Sequence, residues 1–316
     1  MKTTHFTTKK GVTLALLVVV FLFLALLPRL TAGYALTLLI DILKFAILTV
    51  AWVIFSGPTG YMSLASAAFY GLGFYVAAVF SGTIAFPVVI VLAGVIAFVV
   101  ALAVGALTLR LRGVYFAIFT FGLVLLVQNV VLEVERVVTK TRGRFVEQVS
   151  TEGVYYAIFI VMVLTIVAAV VIRRSRYGLA LQSIGDYEEA AAHTGVNVVW
   201  TKVLTFAVSA IFMGMAGAII ATRRTYIDPY IAFNLNNSFL PVLMAMFGGM
   251  ASFIGPVVGA ALFTYIGELL LTRFPDLYML MFGVVLILAI LFMPNGVLGL
   301  VQEVWRKIRG GRRAPA

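Results

Sequence analysis

Apolar runs of roughly eighteen residues or more, each long enough to cross a hydrocarbon core of about 30 Å, recur along almost the whole of this 316-residue chain. No water-soluble core could hide them all. Only 11% of the residues are charged, against about 25% in an ordinary soluble domain. A transmembrane barrel would need alternating apolar and polar residues, and stretches such as Val88 to Leu109 do not alternate. The expected fold class is therefore all-α, a polytopic transmembrane helical bundle. A net charge of +11 would suggest nucleic acid in a soluble protein. Here the bases fall mostly between apolar segments, where membrane topology accounts for them and no nucleic acid is implied. Cysteine is absent, which excludes disulfides and thiolate metal sites without fixing a compartment.

About ten spans are expected, within a range of 8–10, at 12–27, 34–56, 60–80, 84–108, 114–132, 154–172, 203–222, 234–250, 252–271 and 277–293. The junctions near Gly82 and Ala251 also suit broken or re-entrant helices. With the N-terminus inside, Lys2, Lys9, Lys10, Arg110, Arg112, Arg173, Arg174, Arg176, Lys202 and the bases of the 301–316 tail are cytoplasmic. Arg29, Arg136, Lys140, Arg142, Arg144, Arg223, Arg224 and Arg273 are then outside, an asymmetry that favours N-in and C-in. The outer 133–152 loop balances its bases with Glu133, Glu135, Glu147 and Glu152. Cleavage of the first span after Ala32 would leave an odd number of spans and a weaker charge bias. The chain is expected to form a single transmembrane domain over 1–316.

The longest cytoplasmic segment, 173–202, is polar for about thirty residues. Asp186 suits an N-cap, Glu189 three positions on suits a capping box, and Glu188 adds negative charge to the first turn. Ala190, Ala191 and Ala192 favour helix, and Gly195 suits the residue that ends it. A helix of about two turns is marginal alone in water, so it is expected to pack on something. A bland surface helix between spans and a partner-binding helix both fit these signals.

Wider sequence patterns add to this. Arg174-Ser-Arg-Tyr-Gly178, Ala180-Leu181, Ile184, Glu188-x-Ala190-Ala191 and Gly195-Val196-Asn197 resemble the cytoplasmic coupling loop of branched-chain amino acid ABC transporter permeases, the LivM-like family. Gly60-x-x-Ser63-Leu64-Ala65-x-Ala67-Ala68-Phe69-x-Gly71-x-Gly73 resembles the family's early glycine-rich span. Leu109-Arg110-Leu111-Arg112-Gly113-x-Tyr115-Phe116-Ala117 is similar to its short basic turn. Gly248-Gly249, Gly255-Pro256-x-x-Gly259-Ala260 and Pro294-Asn295-Gly296-x-x-Gly299 resemble its C-terminal signatures. The family's early motif more often reads Ser-Leu-Gly-His-Ala-Ala-Phe, and Ala65 and Ser66 depart from it here.

The resemblance implies a permease subunit of an ATP-binding-cassette importer for branched-chain or related amino acids. It implies two cytoplasmic ATPase subunits, a second permease subunit in a LivH-like heterodimer, and a solute-binding protein. The helix carrying Asp186, Glu188, Glu189, Ala190, Ala191 and Gly195 would be the ATPase contact. The chain would bind no cofactor and would leave ATP hydrolysis to its partners. In keeping with this, no Gly-x-x-x-x-Gly-Lys-Ser/Thr phosphate loop occurs in it. Urea, amides and other small solutes use permeases of the same family.

Gln128 and Asn129 near the outer end of the fifth span, and Asn236, Asn237 and Ser238 near that of the eighth, are candidates for the translocation pathway, though Asn also caps helices. Asp41 and Lys44 lie three apart and can pair on one helical face. Ala210-x-x-x-Gly214-x-x-x-Ala218 and Gly255-x-x-x-Gly259 set small side chains on one face for close helix packing or an interface. Glycines and prolines interrupt two regions in opposite halves, at Pro58 to Gly73 and at Gly248 to Gly259, as in transporters with discontinuous helices. An ion-coupled secondary transporter would more often show ionisable groups at the midplane; Asp41–Lys44 and Glu268 are the only candidates, and none is clearly central. His5 and His193 have no metal-ligand spacing, so an enzyme is the least supported class.

Overall fold

A computed structural model of the chain describes residues 33–140, 142–250 and 254–277, with isolated positions nearer either end. Isolated positions aside, the expected spans 12–27 and 277–293, the signature at Pro294-Asn295 and the basic tail lie outside the described residues.

Each of the eight remaining expected spans has a helical counterpart. In chain order these are α1 (Tyr34–Thr59), α2 (Ser66–Phe80), α3 (Phe86–Thr108) and α4 (Val114–Val138), then, after strand β1 (Arg144–Phe145), α5 (Thr151–Arg174). Two short helices follow, α6 (Arg176–Asp186) and α7 (Glu188–His193), and then α8 (Val198–Ala221). Strand β2 (Tyr226–Ile227) leads to α9 (Pro229–Ala232), α10 (Asn236–Gly248) and α11 (Ile254–Arg273). Seven segments among the described residues are long and apolar enough to span, one of them the α9–α10 pair taken together, while α2 is shorter.

Helices α1 and α8 form the centre. From Ala46 to Phe55 α1 is buried on every face, and α8 is buried along most of its length, the pattern of a helix surrounded by other helices. Helix α3 shows why. It turns Ala93, Ala97, Ala101 and Gly105 inward and leaves Val88, Val91, Val95 and Val99 exposed. In lipid the apolar side chains gain nothing by leaving the surface, so the small residues go where two backbones must approach. Gly214 of α8 sits against the Ala97 methyl and the Ala93 carbonyl. A Cβ at Gly73 of α2 would fall on the Gly214 carbonyl, and one at Gly217 on the Tyr70 carbonyl. The Ala210–Gly214–Ala218 stripe is thus used for packing within the chain. Gly255 and Gly259 do the same for α11, against Gly248 and Met244 of α10.

The connections collect at two ends. At one, Gly185 lies on the Pro58 carbonyl and Lys202 Nζ bonds the Leu109 carbonyl at 3.2 Å. At the other, β1 pairs antiparallel with β2, and Val149 N–H donates to the Thr222 carbonyl at 3.3 Å. This grouping matches the alternation of loops expected from span order. The small sheet departs from a purely helical expectation. It forms because the 139–150 and 222–228 connections run side by side and satisfy each other's backbone groups. Helix α4 also runs on past residue 132 to Val138, so part of the expected 133–152 loop is helix. Its Glu135 is buried there, bonded to Arg144 Nε at 3.1 Å and accepting from the Tyr75 hydroxyl at 3.2 Å.

Candidate functional site

The polar segment between α5 and α8 folds as two helices rather than one. Ser175 separates α5 from α6, and Tyr187, in extended backbone, separates α6 from α7. This corrects the expected cap. Asp186 is the last residue of α6, the N-cap position of α7 belongs to Tyr187, and no side chain caps it. Glu189 makes no capping box; it reaches Arg112 at 3.5 Å and accepts from the Tyr187 hydroxyl at 3.2 Å. The amphipathic repeat of α6 carries Asp186 into its last turn, with Gly178, Leu181 and Ile184 buried beneath, and that packing outweighs a local cap signal. The expected stop is where the sequence placed it. Gly195 has φ 88°. Its N–H bonds the Ala192 carbonyl, while that of Val196 bonds the Ala191 carbonyl, closing a Schellman turn.

What α7 packs on is a buried lysine. Lys202, in the second turn of α8, is 1% exposed, and its ammonium donates to Glu188 Oε1 at 2.9 Å, to the Tyr61 hydroxyl at 3.1 Å and to the Leu109 carbonyl at 3.2 Å. All three donor positions of the ammonium are thereby matched to acceptors. The Tyr61 hydroxyl in turn donates to Glu188 Oε2 at 2.6 Å, and Arg112 lies 3.9 Å from Oε1. Desolvation pushes the Glu188 carboxyl up. The hydrogen bonds from Tyr61 and Lys202, with the charges of Lys202 and Arg112, outweigh it and hold the group below its usual range. The cluster is a charge-assisted clamp joining α7, the start of α8, the end of α3 and the segment after α1.

Of the residues expected to contact an ATPase, Glu188 and Ala191 therefore face inward, while Asp186, Glu189, Ala190 and Gly195 are exposed. Beside them Leu179, Tyr177 and Tyr187 are also exposed. Sequence reasoning missed Tyr61 and the inward role of Lys202. The available signal was a lysine set in the first turns of a helix whose next residues are almost all apolar.

A second constellation lies inside the bundle. Helix α2 covers only about 22 Å, short of the ~30 Å core, so residues 60–65 must cross the remainder without helical bonds. Gly60 ends α1 with φ 71° and turns the chain inward. Side chains from other elements then satisfy the exposed backbone, as the low dielectric requires. Trp52 Nε1 donates to the Ser63 carbonyl at 2.7 Å, and the Leu64 N–H donates to Thr120 Oγ1 at 3.0 Å. Ser238, fully buried, donates to the Leu64 carbonyl at 2.7 Å and accepts from the Ala67 N–H at 3.0 Å. Ser238 belongs to α10, itself the second half of a span broken at 233–235. Two interrupted spans meet at this hydroxyl.

The other candidate pathway residues do not join it. Asn237 is nearly buried, Asn236 is exposed and gives its backbone N–H to Asn234 Oδ1 at 2.9 Å. Gln128 reaches the Pro229 carbonyl at 3.4 Å, and Asn129 donates to the Leu125 carbonyl of its own helix at 2.8 Å. Asp41 pairs with Lys44 at 3.6 Å and also with Arg223 at 3.2 Å, a partner far away in sequence. Glu268 accepts from the Tyr34 hydroxyl at 3.1 Å.

Residues 34–290 match the family model for the branched-chain amino acid transport system / permease component. The high-affinity branched-chain amino acid transport system permease protein LivM of Salmonella typhimurium is 25% identical, over 74% of this chain and 59% of its own length. The permease protein LivH of Escherichia coli strain K12 is 30% identical over 45% of this chain and 46% of its own. The L-arabinose ABC transporter permease protein AraH of Azospirillum brasilense is 27% identical over 44% and 43%. The chain spans about three fifths of the length of the LivM relatives it matches. No solved structure matches it. With eight helices of a membrane bundle in place and the family model matched across all of them, the chain belongs to the family of branched-chain amino acid transport system permease components.

Proposed function

We propose that this chain is the transmembrane permease subunit of an ATP-binding-cassette importer for branched-chain or related amino acids. Two cytoplasmic ATPase subunits, a second, LivH-like permease subunit and a solute-binding protein complete the assembly. About ten spans are proposed, with both termini in the cytoplasm, so that α6 and α7 face the ATPases. The observation that carries this is the build of α7 within a chain of this family. One face is clamped to the bundle through Glu188 and Lys202, and the other presents Tyr187, Glu189, Ala190 and His193 to solvent. A helix held on one side and free on the other suits a handle, because a push on it moves the elements to which it is tied. Arg173, Arg174 and Arg176 precede it at the headgroup level. The relatives LivM and LivH are named for branched-chain amino acids and AraH for L-arabinose. The LivM alignment, at 25% identity, extends over 74% of this chain against 44% for AraH, which favours the amino acids.

The test is uptake by the reconstituted complex. Leucine, isoleucine and valine, with arabinose, xylose and urea as competitors, should enter proteoliposomes only with ATP, the ATPase subunits and the binding protein. Uptake by this chain alone, driven by a proton or sodium gradient, would overturn the proposal. Glu189→Arg should weaken co-purification of the ATPase at least fivefold, since it reverses a charge on the exposed face.

A further inference from the structure

The clamp on α7 and the junction of the two broken spans share one piece of chain. Tyr61, which bonds Glu188 and Lys202, and Leu64, which bonds Ser238 and Thr120, lie three residues apart in the same non-helical segment. We infer that residues 60–65 are the mechanical link through which displacement of α7 reaches the interior of the bundle, with Tyr61 and Ser238 as its two positioning residues. This rests on the proposed ATP-driven function.

Three features support it. First, the segment has no helical bonds of its own between Gly60 and Ala65, so its course is set by what holds each end. At the loop end that is a 2.6 Å hydrogen bond to a carboxylate on α7, among the strongest contacts a tyrosine makes. At the interior end it is one hydroxyl, Ser238, that both donates to Leu64 and accepts from Ala67. Second, the ring of Tyr61 is lodged rather than loose. It meets Phe116 edge-on at 5.5 Å and Phe55 at 6.4 Å, and the Lys202 ammonium lies 4.5 Å over its face. Movement of α7 must therefore drag or release the segment rather than slide past it. Third, the interior end touches three spans at once: Trp52 of α1 at Ser63, Thr120 of α4 at Leu64, and Ser238 of α10. A shift along 60–65 would alter the packing of α2 and α10, the two interrupted spans, together. Hydrogen bonds between such elements are each weak enough to exchange on transport timescales.

Spatial continuity alone does not prove coupling; non-additivity does. The test uses the full complex in proteoliposomes and reads solute imported per ATP hydrolysed. Tyr61→Phe keeps the ring and removes the hydroxyl. Ser238→Ala removes the bridge between Leu64 and Ala67. Thr120→Val gives a second probe of the interior end if Ser238→Ala fails to assemble. Each should lower the ratio about tenfold while hydrolysis continues, and the Tyr61→Phe/Ser238→Ala pair should be no worse than the poorer single change. Thr165→Val, which removes an equally buried hydroxyl on α5 away from the segment, should leave the ratio unchanged. Fully additive losses, an unaltered ratio in the singles, or an equal loss in Thr165→Val would overturn the link even though ATP-driven uptake persists. Uptake by the unaltered chain without ATPase subunits would overturn the underlying function, and the link with it.

Discussion

Lys202 is the residue whose environment is most demanding. Taking an ammonium out of water is tolerable only when its partners replace its hydration, and here a carboxylate, a phenol and a carbonyl do so. Removing one partner is therefore worse than removing both. Lys202→Met should destabilise the chain by about 2–3 kcal/mol, less than the roughly 3–5 kcal/mol of a fully buried broken pair, because the Glu188 side chain is 20% exposed and can partly rehydrate. The Lys202→Met/Glu188→Gln double variant should recover part of that loss, read as a higher melting temperature in detergent than the single variant. The pH dependence follows from Glu188. Its folded-state pKa is depressed, so its stabilisation is present above the unfolded value and is lost as pH falls through the lower, folded one. The stability gap between the unaltered chain and Glu188→Gln should hold steady from neutral pH downward and close only below the ordinary value of 4.5. A gap that closes at higher pH would contradict the clamp.

Among the elements, packing between α2, α3 and α8 rests on backbone approach rather than on side-chain volume. Gly73→Ala places a methyl on the Gly214 carbonyl, which cannot yield without moving α8. A loss of about 3 kcal/mol is expected, visible as early aggregation on heating or size-exclusion chromatography. Gly122→Ala, in α4, meets nothing within 4 Å. It should be neutral or stabilise by up to about 1 kcal/mol through helix propensity alone. The contrast separates two glycines that a composition count treats alike. Helix ends follow the same logic of local satisfaction. Ser150, Asn197 and Asp228 each accept a backbone N–H at the start of α5, α8 and α9, and Gly195 closes α7. Asp186 does not cap, since the burial of Leu181 and Ile184 fixes where α6 stops.

At the scale of the whole molecule, the connections divide between two ends, one holding the α6–α7 helices and the other the β1–β2 pair. Because the chain has no cysteine, the division can be tested without background. Gln182→Cys and Gln148→Cys, both at exposed positions, should react with an impermeant maleimide from opposite faces of oriented vesicles, Gln182→Cys from the cytoplasmic one. Labelling of both from one face would contradict the arrangement. Much of this was legible in the residues themselves. Long apolar runs and few charges require a bundle of spanning helices, since unpaired backbone cannot cross lipid. Alanine, glutamate and glycine between residues 188 and 195 set α7 and its stop, because caps and propensities act within a turn. Tertiary structure alone decided the rest. That Lys202 faces Glu188 and Tyr61, that Arg223 joins Asp41 across 182 residues, and that Ser238 holds two broken spans together depend on which helix faces are brought into contact. Those choices are made by small-residue stripes on several helices at once. Periodicity along any one helix gives the stripe but not its neighbour.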